Sequence, residues 1–137
     1  MSVTELALQI PNQPGQLVKV TTILADAQVN IRGITASSAG KNGWVRLVVD
    51  KPKQAQEALE EFGYQVEAGA AVAVLLVDEP GALDRALHIL AEHKINLDYI
   101  YTCVAGKAKK AVAILGVQTP SKVESLLTAH GIEILEE

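Results

Sequence analysis

A single cysteine, Cys103, is all the thiol the chain carries, which excludes an internal disulfide framework and a Cys-rich metal site. Aromatic residues are nearly as scarce, with one Trp, one Phe and three Tyr in 137 residues. Where a base-stacking sheet would place aromatic pairs, the first and third strands read below offer Leu8, Val45 and Leu47. Single-stranded nucleic acid therefore finds no platform. Long basic runs are lacking too. The densest cluster, Lys107, Lys109 and Lys110, is only a few residues wide in a chain of formal charge −4, which argues against a phosphate track and against an electrostatically held membrane helix. No apolar run approaches the roughly 18 residues of a membrane-spanning helix, and no basic segment precedes an apolar stretch at the N-terminus. Gly-rich phosphate loops, zinc spacings and His-Glu-x-x-His are all missing, so no cofactor is implied. These absences point to a soluble, cytoplasmic protein of a reducing compartment, with neither nucleic acid nor membrane as partner.

What is present is aliphatic. Hydrophobic residues make up 49% of the chain, mostly Val, Ile, Leu and Ala, enough for one ordinary domain or two small ones. Displacing the chain on itself by 66 positions decides for two. Thr4–Asp50 laid on Ala70–Gly116 gives twelve identities, among them Pro14/Pro80, Gly15/Gly81, Leu17/Leu83, Ile23-Leu24-Ala25/Ile89-Leu90-Ala91 and Asn30/Asn96. Beyond that point a displacement of 68 pairs Pro52 with Pro120, Leu59 with Leu127 and Gly63 with Gly131. The identities gather at turns, as those of a structural repeat do. We read two units, 1–67 and 68–137. A module of this size is marginal alone, so each needs support from the other or from a second chain.

Both units give the same order of elements. Val3–Ile10 alternates with Leu6, Leu8 and Ile10 on one face, and Val72, Val74 and Leu76 repeat the pattern. Pro14 and Pro80 suit the first turn of a helix, whose apolar stripe is Leu17, Val20 and Leu24, or Leu83, Leu87 and Leu90. Second strands begin at Asn30-Ile31 and Asn96-Leu97. Gly40-Lys41-Asn42-Gly43 is a hairpin signal, answered by Gly106-Lys107-Ala108-Lys109. Trp44–Val49 and Ala111–Leu115 are third strands. Pro52 and Pro120 open second helices, carried inward by Ala55, Ala58, Leu59 and Phe62, or by Val123, Leu126 and Leu127, and ended by Gly63 and Gly131. Tyr64–Val66 and Ile132–Ile134 close the units. The fold class is therefore α+β: two ferredoxin-like βαββαβ units in tandem, antiparallel sheets with helices on one face. On the bare face of the second unit, Ala71, Ala73 and Leu75 would sit with Ala111, Ala113 and Leu115, an apolar surface that asks for a cover.

The turn between first strand and first helix reads NQPGQL once and DEPGAL once. Gly15 lets a small molecule approach the backbone, and the free N–H groups of a helix start favour a carboxylate. Asn12 offers both a donor and an acceptor to a zwitterion, and Asn30 could serve in the same way. The competing reading is a plain Asx-type turn. Asp78 and Glu79 put acid at the second turn, so the first is the better carboxylate receptor and the second is either structural or a partner for a ligand's ammonium.

The paired stretches NQPGQLVKVTTILADAQVNI and DEPGALDRALHILAEHKINL resemble the ACT domain over nearly the whole chain. The resemblance implies βαββαβ units that pair side by side and bind amino acids as allosteric effectors at an interface. By position it implies ligand contacts at Asn12, Gly15, Gln16 and Leu17, with Asn30 and Ile31 facing from the second strand. In the second unit the same positions are Asp78, Gly81, Ala82, Leu83, Asn96 and Leu97.

Nothing else builds an enzyme. His88, His93 and His130 fall into no cluster with acids and suit helix surfaces or helix ends, and Cys103 has no neighbouring histidine. Arg46 either pairs with an acid at a sheet edge or lies under a ligand carboxylate. Tyr99 and Tyr101 either line an interdomain surface or stack a ligand ring. The expected function is non-enzymatic: a regulatory protein that senses a small amino acid and modulates a partner, as a homodimer acting on an amino-acid metabolic enzyme. A scaffold or regulatory subunit that binds no ligand is the alternative.

Overall fold

A computed structural model describes residues 2–104 and 111–136. In chain order the elements are β1 (Val3–Pro11), α1 (Gln16–Asp26), β2 (Ile31–Ala39), β3 (Asn42–Val49), α2 (Pro52–Glu61), β4 (Val66–Leu76), α3 (Ala82–Glu92), β5 (Tyr99–Cys103), β6 (Ala111–Gly116), α4 (Pro120–Ala129) and β7 (Glu133–Ile134). The α+β class and the doubled ferredoxin-like order are as the sequence predicts. The chain divides into two compact units, Thr4–Gly69 and, with Val3, Ala70 onward. The border falls inside β4. The closing strand of the first unit and the opening strand of the second, read as separate, are one uninterrupted strand, so Val66–Gly69 belong to one unit and Ala70–Leu76 to the other.

In the first unit β3 is central, antiparallel to β1 and β2, with Leu6 opposite Leu47 and Ala36 opposite Val45. Leu6, Leu8, Ile10, Val45, Leu47 and Val49 point to one face. There they pack with Val20, Ile23 and Leu24 of α1 and with Ala55 and Leu59 of α2. Nearly all these side chains are fully buried, each burial worth roughly 1.5–3 kcal/mol for the larger ones. The hairpin loop is Gly40-Lys41, since Ala39 pairs with Asn42, and Gly40 has a φ of 68° that suits glycine in a two-residue turn.

In the second unit β6 pairs with β4 and β5, and β7 pairs with β4. Val72, Val74, Leu76, Ala113 and Leu115 face α3 and α4, meeting Ile89, Leu90, Val123 and Leu127. This corrects the expected phase of the third strand. Val112, Ile114 and Gly116, not Ala111, Ala113 and Leu115, share the helix-free face with Ala73 and Leu75. Apolar residues on both faces of β6 left its phase open to either reading. The hairpin expected at Gly106–Lys109, and the lysine cluster with it, lie outside the described residues.

Three further expectations are corrected. Pro14 and Pro80 stand in the turn before the helices, not in their first turn, because Gly15 and Gly81 are the N-cap residues. Phe62 is 68% exposed at the C-cap of α2 instead of in the core. The second strand of the second unit starts at Tyr99, three residues beyond Asn96. Gly63 and Gly131 do end α2 and α4 in the left-handed region, where Tyr64 N–H returns to the Leu59 carbonyl and Ile132 N–H to that of Leu127.

Candidate functional site around the first turn of α1

The two turns share one backbone path. Gln13 N–H donates to the Pro11 carbonyl and Glu79 N–H to that of Val77; Gln16 and Ala82 donate back to Gln13 and Glu79. Gly15 and Gly81 follow with φ of 83° and 90°, and nothing lies within 4 Å of where either Cβ would stand. The glycines are required by dihedral angle, since an L side chain in the left-handed region costs about 1–2 kcal/mol. The space beside each glycine is open, while Ala82 at the start of α3 is itself buried. Neither α1 nor α3 carries a side-chain cap, so N–H groups of their first turns remain for solvent or ligand. The same holds for α2 and α4, so a bare start alone does not single out a site.

A cleft does. About 250 Å³ of open space adjoins the first turn, lined by Asn12, Gln13 and Leu17, by Ala36–Ser38 of β2 and by Gly43–Val45 of β3. Asn12 spends part of its capacity on the fold: its Nδ2 donates to the Gly40 carbonyl at 3.0 Å, and its N–H to the Lys41 carbonyl at 2.9 Å. Those bonds tie the turn to the β2–β3 hairpin. Leu17 was expected in the core stripe but is 37% exposed beside this cleft, and its counterpart Leu83 is 38% exposed. The register sets Ser37 opposite Trp44 and brings both to the cleft. Sequence inspection did not single out Ser37, Ser38 or Trp44 for the site, although the hairpin signal and strand alternation together contained their pairing.

The second turn differs. The cleft near α3 is smaller, about 120 Å³, and lies among Leu76, Val77, Ala82, Arg85 and Gly131–Glu133. Asp78 and Glu79 are exposed, and Glu79 lies 4.0 Å from Arg85.

The remaining expected residues gather elsewhere. Asn30 and Ile31 stand at the start of β2, with Ile31 opposite Val49, whereas Asn12 sits by the hairpin that closes the other end. Nine strand residues at about 3.3 Å each separate the two ends by nearly 30 Å, so within one unit the structure does not bring Asn30 and Ile31 to the first turn. The Asn30 N–H donates instead to Asp50 Oδ1 at 2.9 Å. Asn96 and Leu97 are placed alike in the second unit. Asn96 Nδ2 donates to Asp98 Oδ1, and Asp98 is bound through its N–H to the Gly116 carbonyl, at the end of the sheet opposite Asp78.

Arg46 lies on the helix-free face of β3, its Nε 4.0 Å from Glu5 Oε1 and its Cζ 5.8 Å from the centre of the Trp44 ring. Tyr99 and Tyr101 stack on each other, with ring centres 6.2 Å apart. Among the described residues no group of three or more His, Cys, Asp or Glu could hold a metal, and no helix is long and apolar enough to cross a membrane.

Comparison with known proteins agrees with this architecture. A protein from Bacteroides thetaiotaomicron superposes with a TM-score of 0.88 at 23% identity, covering 98% of this chain and 92% of that one. The ligand-free regulatory subunit of aspartate kinase from Thermus thermophilus gives 0.69 at 20% identity, over 96% and 92% of the two chains. The corresponding subunit from Thermus flavus gives 0.62 at 19%, over 94% and 90%. At such identities the likeness speaks for the fold. No curated protein matches the sequence significantly. The model of the ACT domain pair matches residues 1–137, and with the doubled fold just described the chain belongs to that family.

Proposed function

We propose that the chain is a non-enzymatic regulatory protein that binds a small amino acid at the first turn of α1 and thereby modulates an enzyme of amino-acid metabolism. The observation that carries the reading is the cleft beside an uncapped helix start, in a chain belonging to the ACT domain pair family. The ligand carboxylate meets the free N–H groups of the first helical turn, where the dipole favours negative charge. Its ammonium meets the Asn12 side-chain oxygen and the hydroxyl of Ser38, which shares the helix-side face of β2 with Ala36. Leu17 flanks the side chain and favours an aliphatic one. The Asn30–Ile31 end of β2 joins such a site only from a second copy of the chain, which gives a homodimer a functional reason. Acid at Asp78 and Glu79 and the smaller cleft beside α3 disfavour a carboxylate there, so one site per chain is the expected stoichiometry.

The fold is shared with regulatory subunits of aspartate kinase, which makes an aspartate kinase the first partner to test. A signal requires that the effector bind two arrangements of the assembly with different affinity, and the protein needs no chemistry of its own for this. The test is a thermal-shift and calorimetric screen of the twenty amino acids at millimolar level. A specific stabilisation, weakened about tenfold or more by Asn12→Ala, is expected. No shift with any of them defeats the reading in favour of a ligand-free scaffold.

A further inference from the structure

We infer that His93 and His130 form a two-nitrogen binding site for a divalent transition-metal ion at the helix C-termini of the second unit. The two residues are 37 positions apart in the chain, yet their ring centres lie 5.6 Å apart. His93 is the C-cap of α3 and His130 the C-cap of α4. Each Nδ1 sits 2.9 Å from a carbonyl oxygen one turn back, Ile89 for His93 and Leu126 for His130. A carbonyl only accepts, so both Nδ1 atoms carry their proton and donate it. The Nε2 atom of each neutral ring is left with its lone pair.

This is the arrangement in which proteins hold metal-ligating histidines, one ring nitrogen oriented by a backbone carbonyl and the other free to coordinate. The separation permits it. A metal–nitrogen bond of about 2.0–2.1 Å places the ion about 3.2 Å from a ring centre, so two imidazoles can reach one ion only when their centres are within about 6.4 Å. The ring planes cross at 78°, which excludes face-to-face stacking. Both residues are exposed, leaving room for water in the remaining positions. Two helix C-termini meet here, and their negative ends favour a cation. The imidazole pair suits Zn²⁺, Ni²⁺ or Cu²⁺ rather than a hard ion such as Mg²⁺. The first unit has no counterpart, since Ala27 and Phe62 hold the same helix-end positions. The feature therefore belongs to the second unit and not to the shared fold.

The test uses the full chain with Ni²⁺ and Zn²⁺ as probes, followed by calorimetry and by the thermal unfolding midpoint. One ion per chain is expected, with a raised midpoint, and affinity should fall about tenfold or more in His93→Gln and again in His130→Gln. His88→Gln should leave binding unchanged, because His88 pairs with Asp84 at 3.5 Å on a separate face of α3. Binding that survives either of the first two substitutions, or that disappears with His88, overturns the assignment, as does the absence of any ion binding. Amino-acid binding at the α1 turn is measured separately and is indifferent to these outcomes.

Discussion

Arg46 holds its guanidinium Nε 4.0 Å from the carboxylate of Glu5 across the paired strands β1 and β3, and Glu5 is only 7% exposed. Arg46→Met should cost about 1–3 kcal/mol, because it removes a cation from beside a buried carboxylate. Glu5→Gln, which removes the charge and keeps the shape, should cost less. Urea denaturation of the two variants measures the difference, and equal losses would show that Glu5 draws its compensation from another group.

Gly15→Ala and Gly81→Ala should each destabilise the fold by about 1–2 kcal/mol. The φ values of 83° and 90° are costly for a residue with a Cβ, although the space around each is open. Because no neighbour is displaced, the loss should be alike in the two turns. A much larger loss at one of them in chemical denaturation would point to a contact that the geometry does not contain.

Gln28 and Lys94, again 66 positions apart, both adopt the left-handed conformation, at φ of 61° and 55°. Each follows a helix whose last turn is closed by the next residue, Val29 to the Leu24 carbonyl and Ile95 to the Leu90 carbonyl. Glycine is the usual residue in such a position. Gln28→Gly and Lys94→Gly should therefore stabilise the protein by about 0.5–1 kcal/mol each, net of the added freedom of the unfolded chain. Raised thermal midpoints are the readout.

Gly116 lies beneath the ring of Tyr99, so that a Cβ on Gly116 would collide with the ring. Gly116→Ala should cost about 1–3 kcal/mol through overpacking. In the double variant Tyr99→Ala, Gly116→Ala the second change should be nearly free. A double-mutant cycle with no coupling would remove the Tyr99–Gly116 contact from the account.

Alternation in β1 and β4, the paired Pro-Gly turns, and Gly63 and Gly131 after the second helices all act through neighbours a few residues away, so the doubled βαββαβ order was legible in the residues themselves. The proposal of a receptor at the first turn likewise starts from local facts, helix-start N–H groups and an Asn beside them. Where both faces of a strand are apolar, as in β6, alternation carries no sign, and only the packing of α3 and α4 selected Ala113 and Leu115 for the core. Leu17 belongs to the helical stripe by spacing but borders an open cleft and stays 37% exposed, so tertiary placement overruled periodicity. Distance along the chain was uninformative in both directions. Asn30 follows α1 closely yet stands at the far end of β2 from Asn12, while His93 and His130 meet across 37 residues, because side chains come together through the arrangement of whole elements, which no local preference encodes.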